Sequence, residues 1–406
     1  MSDIGNGTAK GISRQQSKLW AYVIVLISLI SFGVGCALAR DAIGGDFTVF
    51  YVAGLTRQRL YDEAYVMSVR DQLPGAAGKL PYMPYLNPPF FALMMAPLAI
   101  LPFGLALVLW RVFGLLVALL SFFLMGVMTG LKRWLSFFLV MIVSASSVWA
   151  MGLGQNSYLL LFIMVAGVYM LDTHRDTEAG LLLSLMLLKP HIAMLLPVAF
   201  VVMRRWRAAK AWLAGAFGLY VLSAVVSGPA WPLEYIRLVS TSACFPGDVF
   251  GKGRVCSLTG ILAKTICSGM NPVFLGIGMT CLGAAAMLIL LRFRVANERL
   301  MLHGVTGLAV ALSIVTAPYM LAYDAILMAW PCMVLVSWVR ESLLREAQAV
   351  SAISLLLILN LVGYLRGASW QPVVIVVVWV AILLWRGLAQ AEHGEACGAT
   401  PISCDD

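Results

Sequence analysis

Asp46 is the acid with the most distinctive setting in this chain. It lies in Gly44-Gly45-Asp46-Phe47-Thr48-Val49-Phe50-Tyr51, where an apolar run gives way to a polar stretch. A lone carboxylate at such a place can act as a general base. The plainer alternative is that Asp46 caps a short helix at the membrane edge, as aspartate often does. The same polar stretch carries Arg57, Arg59 and Leu60-Tyr61-Asp62, and a later one carries Arg237, Lys252 and Arg254. Arginine presents a planar fork that matches phosphate oxygens, so these cations are candidate phosphate partners. Taken singly, each also reads as an ordinary solvated loop charge. Lys189 and His191 flank Pro190 inside an apolar run, and Tyr323-Asp324 opens another. Charges within hydrocarbon are costly, which makes these residues functional candidates. For Lys189 the plainer alternative is a snorkelling or buried, paired lysine. Arg111 and His303 also lie in or near apolar runs.

Absent motifs narrow the chemistry. The chain has no Walker loop, no G-x-S-x-G, no H-E-x-x-H and no D-x-D motif. No ligand cluster predicts a metal, and no cofactor is expected. A nucleotide-sugar is therefore not the expected donor. A sugar already carried on a lipid phosphate is compatible. It needs an apolar groove, a few cations and one carboxylate beside the acceptor hydroxyl.

The positioning elements are apolar helices. Of 406 residues, 61% are hydrophobic and 12% charged; soluble domains carry roughly 25% charged residues. The fold class predicted is an all-α integral membrane protein of about 12 transmembrane helices, each long enough to cross or nearly cross a bilayer. Spans are predicted at 19–39, 88–101, 103–128, 134–152, 155–171, 179–203, 208–227, 271–292, 300–316, 320–339, 349–364 and 370–388. Residues 1–18 and 391–406 form tails at the two ends of a single polytopic domain over 19–390. Its long polar loops are 40–87 and 228–269. The net charge of +9 is read as cytoplasmic anchoring charge, with no nucleic-acid partner.

Arg204, Arg205, Arg207 and Lys210 form one basic cluster, Arg292, Arg294 and Arg299 a second, and Arg340 and Arg345 a third. With the N-terminus inside, all three are cytoplasmic and both long loops face out. Lys132 and Arg133 land outside in this count. Either 88–101 does not cross fully or these two side chains snorkel. Among the eight cysteines, Cys36, Cys281 and Cys332 read as small core residues. Cys244, Cys256 and Cys267 share one loop and could pair in an oxidising compartment.

The order of several motifs resembles the family 87 glycosyltransferases, also called the DUF2029 family. Asp46-Phe47-x-x-Phe50-Tyr51 with Leu60-Tyr61-Asp62 matches the family's first outer loop. Asn87-Pro88-Pro89-Phe90, Ala96-Pro97-Leu98-Ala99-Ile100-Leu101-Pro102 and Gly154-Gln155-Asn156 follow. Ala179-Gly180-Leu181, Leu188-Lys189-Pro190-His191, Arg205-Trp206-Arg207, Ser257-Leu258-Thr259-Gly260 and Pro318-Tyr319 with Tyr323-Asp324 complete it. The likeness spans roughly residues 40–335. Many members carry tyrosine where this chain has Asn87.

The resemblance implies a GT-C-type helical bundle in the bacterial inner membrane, multi-pass, with its active site on the periplasmic side. It implies an inverting hexosyltransferase, similar to mannosyltransferases that use polyprenyl-phosphate-mannose, acting on a lipid or glycan acceptor. Asp46 would be the catalytic base. Arg57, Arg59, Lys189, His191, Arg237, Lys252, Arg254, Tyr323 and Asp324 would serve the donor phosphate or the cavity. The rival expectation is a transporter or flippase for a lipid-linked sugar. Transporters of that kind show related halves, whereas the polar residues here gather in the outer loops.

Overall fold

A computed structural model of the chain describes residues 22, 25–26, 28–37, 44–57, 59–73, 84–243, 257–265, 272–290, 298–318 and 320–342. Among them, the regular elements are helices. In chain order they are α1 (Ser28–Ala37), α2 (Gly45–Thr56), α3 (Glu63–Asp71), α4 (Pro89–Ala99), α5 (Phe103–Thr129), α6 (Trp134–Ile142), α7 (Ala145–Leu153), α8 (Ser157–Asp172) and α9 (Asp176–Ser184). A 3-10 turn, Leu185–Leu188, leads to α10 (Pro190–Ala193), α11 (Leu196–Val202), α12 (Trp206–Ser227), α13 (Trp231–Ala243), α14 (Leu258–Thr265), α15 (Pro272–Leu290) and α16 (Glu298–Thr316). A second 3-10 segment, Ala322–Met328, precedes α17 (Ala329–Ser342). By length and composition α5 and α12 can cross a membrane, and α6 with α7, bent by 63°, makes a third candidate. The tails and the expected spans 349–364 and 370–388 lie outside the described residues, as do Lys252, Arg254, Cys244, Cys256 and Cys267.

The stretch read as the loop 40–87 contains a core helix. In α2, Phe47, Phe50, Tyr51, Val52 and Ala53 are all buried. Their apolar surface needs a partner, and α4 supplies it: Phe50 packs edge-on against Phe91 at 5.0 Å. Cys332 is buried as expected, but Cys36 and Cys281 are exposed. They face outward from the bundle with the apolar side chains that cover it.

Two segments expected to cross do not run from one end of the bundle to the other. The first holds α4, 11 residues long and so only about 16 Å. Both its flanks stay near α2 and the start of α8. Asn156 donates to Asn87 at 3.4 Å, Tyr51 OH donates to the Leu101 carbonyl at 2.7 Å, and Phe103 packs on Phe47. The second is 179–203. Arg205 pairs with Asp176 at 3.2 Å, so the chain returns to where α9 began. Its turning point is Lys189-Pro190, where α9 and its 3-10 extension stop. Proline lacks the donor a continuing helix needs and disfavours helical backbone before it.

These two corrections settle Lys132 and Arg133. Helices α5 and α8 run side by side in the same direction: Trp110 Nε1 donates to the Gly154 carbonyl at 2.9 Å, and Gly114 faces Tyr158. From that level each continues for about 27 Å, ending at Thr129 and Asp172. Lys132 and Arg133 therefore stand at the same end as Asp172, Arg205 and Arg299. One non-crossing segment precedes them and a second follows, so Arg205 and Arg299 stay at that end together, as expected of their two clusters. The opposite end gathers the starts of α2 and α8, the Lys189 turn and the second 3-10 segment. Tyr61 packs on Tyr235 there, which brings the two long polar stretches together.

Candidate functional site

Asp46 sits in the first turn of α2 and is 3% exposed. It is not the cap: Gly44 holds that position in the left-handed conformation, without a side-chain hydrogen bond. The Gly44 N–H donates to the Gly152 carbonyl at 2.8 Å, and Thr48 Oγ1 donates to the Gly44 carbonyl at 2.8 Å. The first contact pins the start of α2 to the last turn of α7, and the second closes the first turn of α2 itself. The capping role belongs to Asp62, which accepts from the Tyr65 N–H at 3.1 Å.

The turn after α7 is Gly154-Gln155-Asn156-Ser157. Gly154 has φ +72°, and an added Cβ would stand 2.7 Å from Phe47 Cβ. Only glycine tolerates this backbone without strain. Arg111, unassigned in the sequence, donates to the Met151 and Gly152 carbonyls at 3.0 and 2.6 Å. It adds a second donor to each of these carbonyls at the end of α7, beside the Gly154 and Gly44 N–H groups. The turn thereby aims Gln155 inward, and its Nε2 donates to Asp46 Oδ2.

Two further breaks complete the cluster. Lys189 Nζ donates to Asp324 Oδ1 at 2.6 Å and to Gln155 Oε1 at 3.5 Å. Ser157 Oγ donates to the same Asp324 oxygen. The Tyr323 ring lies 5.3 Å from the Lys189 ammonium, in cation–π range, and packs edge-on to Trp149 at 5.2 Å. The result is one buried network, Asp46–Gln155–Lys189–Asp324–Ser157, built from four chain breaks. Buried ions persist only when paired and hydrogen-bonded, and Lys189 and Asp324 meet both conditions. Burial lifts the Asp46 carboxyl from its ordinary value to about 6, against the Gln155 hydrogen bond and the Lys189 charge, which lower it, while the Asp324 charge adds to the rise. Such a group takes up a proton near neutral pH.

Other expected site residues stand apart. Arg57 and Arg59 follow the far end of α2 and are exposed. Arg59 is paired with Asp62 and lies 4.6 Å over the Tyr65 ring. Arg237 is exposed on α13, and His191 is half-buried on α10 beside the Lys189 turn. His303 lies at the opposite end, 3.5 Å from Asp172. The one acidic pair two residues apart, Asp176 and Glu178, is also there, paired with Arg205 and Arg175. Among the described residues no group of His, Cys, Asp and Glu could hold a metal.

Gln155 and Ser157 were not singled out as site residues from the sequence. Their one signal is the Gly154-Gln155-Asn156 motif, an uncharged polar cluster between two apolar runs.

No curated protein and no solved structure matches this chain. The profile of glycosyltransferase family 87 matches residues 85–310, more than half of the sequence. The matched region contains Gln155, Ser157 and Lys189 and stops short of both acids of the network. By that match, the chain belongs to glycosyltransferase family 87.

Proposed function

We propose that this protein is a GT-C-type membrane hexosyltransferase that moves a sugar, mannose by the family resemblance, from a polyprenyl-phosphate donor to a lipid or glycan acceptor. Asp46 is the base. The observation that carries this reading is the buried, singly hydrogen-bonded Asp46 carboxylate, poised near neutral pH beside the Lys189–Asp324 pair. Asp46 takes the proton from the acceptor hydroxyl. The acceptor oxygen bonds to the anomeric carbon from the face opposite the phosphate. The bond between that carbon and the phosphate oxygen breaks, and polyprenyl phosphate leaves with the electron pair. The sugar inverts, and a stable phosphate leaving group requires no strong acid.

Lys189 is the network's cation, and Arg57, Arg59 and Arg237, which stand apart from the network, are the candidate donor-phosphate partners. Lys132, Arg133, Arg204, Arg205 and Arg299 share the other end, which the positive-inside rule assigns to the cytoplasm. The site then faces outward from a bacterial inner membrane. A buried ion pair at two helix breaks would also suit a flippase; membership of a glycosyltransferase family favours the transferase.

Membranes containing the protein, supplied with radiolabelled polyprenyl-phosphate-mannose, test this reading. The expected result is label in a lipid or glycan product. Asp46→Asn inserts normally and loses at least about 100-fold in rate. Asp62→Asn retains activity, because asparagine caps α3 about as well as aspartate. Full activity in Asp46→Asn moves the base elsewhere, and label that crosses the membrane without joining a product favours the flippase.

A further inference from the structure

Gln155 lies between an anion and a cation that are not in direct contact with each other. An ionised carboxylate only accepts hydrogen bonds, and an ammonium only donates. A carboxamide can serve both at once, from two separate atoms of one planar head. Its Nε2 donates to Asp46 and its Oε1 accepts from Lys189, so the charges on either side dictate its orientation. The backbone holds Gln155 rigidly: its N–H donates to the Ala150 carbonyl at 2.9 Å, directly after the left-handed Gly154. Lys189 is fixed in turn by Asp324, whose Oδ1 also accepts from Ser157. All five side chains belong to buried residues.

We propose that Gln155 is a positioning residue: oriented by Lys189, its amide clamps one oxygen of Asp46 and leaves the other directed to the acceptor hydroxyl. This rests on the assignment of Asp46 as the base. Asp324 is instead the ion-pair partner of Lys189, held in place by Ser157, which assigns it to fixing the cation rather than to the acceptor. The amide spacer also has an electrostatic purpose. A direct Lys189–Asp46 pair would stabilise the carboxylate and weaken it as a base. With Gln155 between them, Asp46 keeps a fixed geometry and its proton affinity.

The ionisable groups facing Asp46 are Lys189, which favours its charged form, and Asp324, which opposes it. Gln155 adds a hydrogen bond that favours the charged form. Gln155→Leu removes that donor, so Asp46 should then protonate at higher pH.

The full-length protein in lipid nanodiscs allows two measurements. Infrared titration of the protonated-carboxyl band, assigned by its loss in Asp46→Asn, gives the Asp46 midpoint without any substrate. Label transfer from polyprenyl-phosphate-mannose into membrane acceptors gives the rate between about pH 5 and 8. For Gln155→Leu the midpoint and the acid limb of the rate both move to higher pH. Above both midpoints the rate remains down about 100-fold, the cost of a misplaced reacting group. Gln155→Glu, of the same shape, also raises the midpoint, by placing a second carboxylate beside Asp46. An unmoved midpoint in both variants overturns the proposal, as does failure of both to insert, which would make Gln155 structural. A raised midpoint with an undiminished rate above it overturns the positioning role while leaving Asp46 as the base; a raised midpoint that the acid limb of the rate does not follow removes Asp46 as the base.

Discussion

The two ends of the bundle each join cations to carboxylates, in very different surroundings. At the site end, the Lys189 and Asp324 side chains are 10% and 5% exposed and their contact is 2.6 Å. At the other end, Arg299 grips Asp172 with two bonds, of 3.0 and 2.7 Å, while remaining 56% exposed. Arg205 joins Asp176 to Glu298, and Glu298 is 73% exposed. Where water reaches, a broken pair is resolvated and little is lost. Where it does not, the remaining partner is an uncompensated buried ion. The contacts Arg299–Asp172 and Arg205–Glu298, each with one exposed partner, and the more buried Arg205–Asp176 contact gather the ends of α8, α9, α12 and α16 at one level, and the Lys189–Asp324 pair holds together the breaks that form the site.

Breaking the buried pair gives the largest expected effect on stability. Lys189→Met removes the cation and leaves the buried Asp324 carboxyl with Ser157 as its remaining partner, at a cost of about 3–5 kcal/mol. Thermal unfolding in detergent measures it, and Lys189→Met/Asp324→Leu should recover much of the loss. A single variant as stable as the parent would erase the contrast between the ends.

Glycine turns sharpen the comparison. Gly154→Ala forces a left-handed backbone and a clash with Phe47, together about 2–4 kcal/mol. Gly130, at the other end, has φ +66° and nothing within 4 Å of an added Cβ. Gly130→Ala should cost only about 1–2 kcal/mol, the backbone term alone. Equal losses would mean that Phe47 yields easily.

Asp46→Asn should go the other way. Its folded value is raised, so the folded state holds a proton that the unfolded chain has already released. The resulting penalty is absent below about pH 4, grows as pH rises through the interval to about 6, and is complete above it. The substitution should therefore stabilise the protein at neutral pH by about 1–3 kcal/mol while abolishing transfer. A gain in melting temperature that persists at low pH would contradict this origin.

The smallest effect is expected for Arg299→Gln, at most about 1 kcal/mol and weaker in high salt. A loss as large as that of Lys189→Met would show that the exposed end is as desolvated as the site.

Hydropathy identified most helices because burial or lipid exposure demands apolar side chains whichever way a helix runs. It could not give direction. The runs 88–101 and 179–203 are apolar enough to be read as spans, yet α4 stays at one end and α9–α11 fold back at Lys189-Pro190. Asp46-Phe47-Thr48-Val49-Phe50-Tyr51 was read as loop because polar residues surround it, although its own aromatics form core. Gln155 is unmarked in the sequence because an amide carries no charge. Its partners Asp46 and Lys189 are 109 and 34 residues away in the chain.

By itself, the sequence determined the helical class, the family, and the scarcity of buried charge that made Asp46, Lys189 and Asp324 conspicuous. These follow from composition and local pattern, which act residue by residue. Only the tertiary structure decided that Asp46 is no cap, that Lys189 answers Asp324, and that Gln155 stands between the acid and the cation. Those facts depend on four chain breaks meeting in a buried site, where the polar side chains find their partners in other segments.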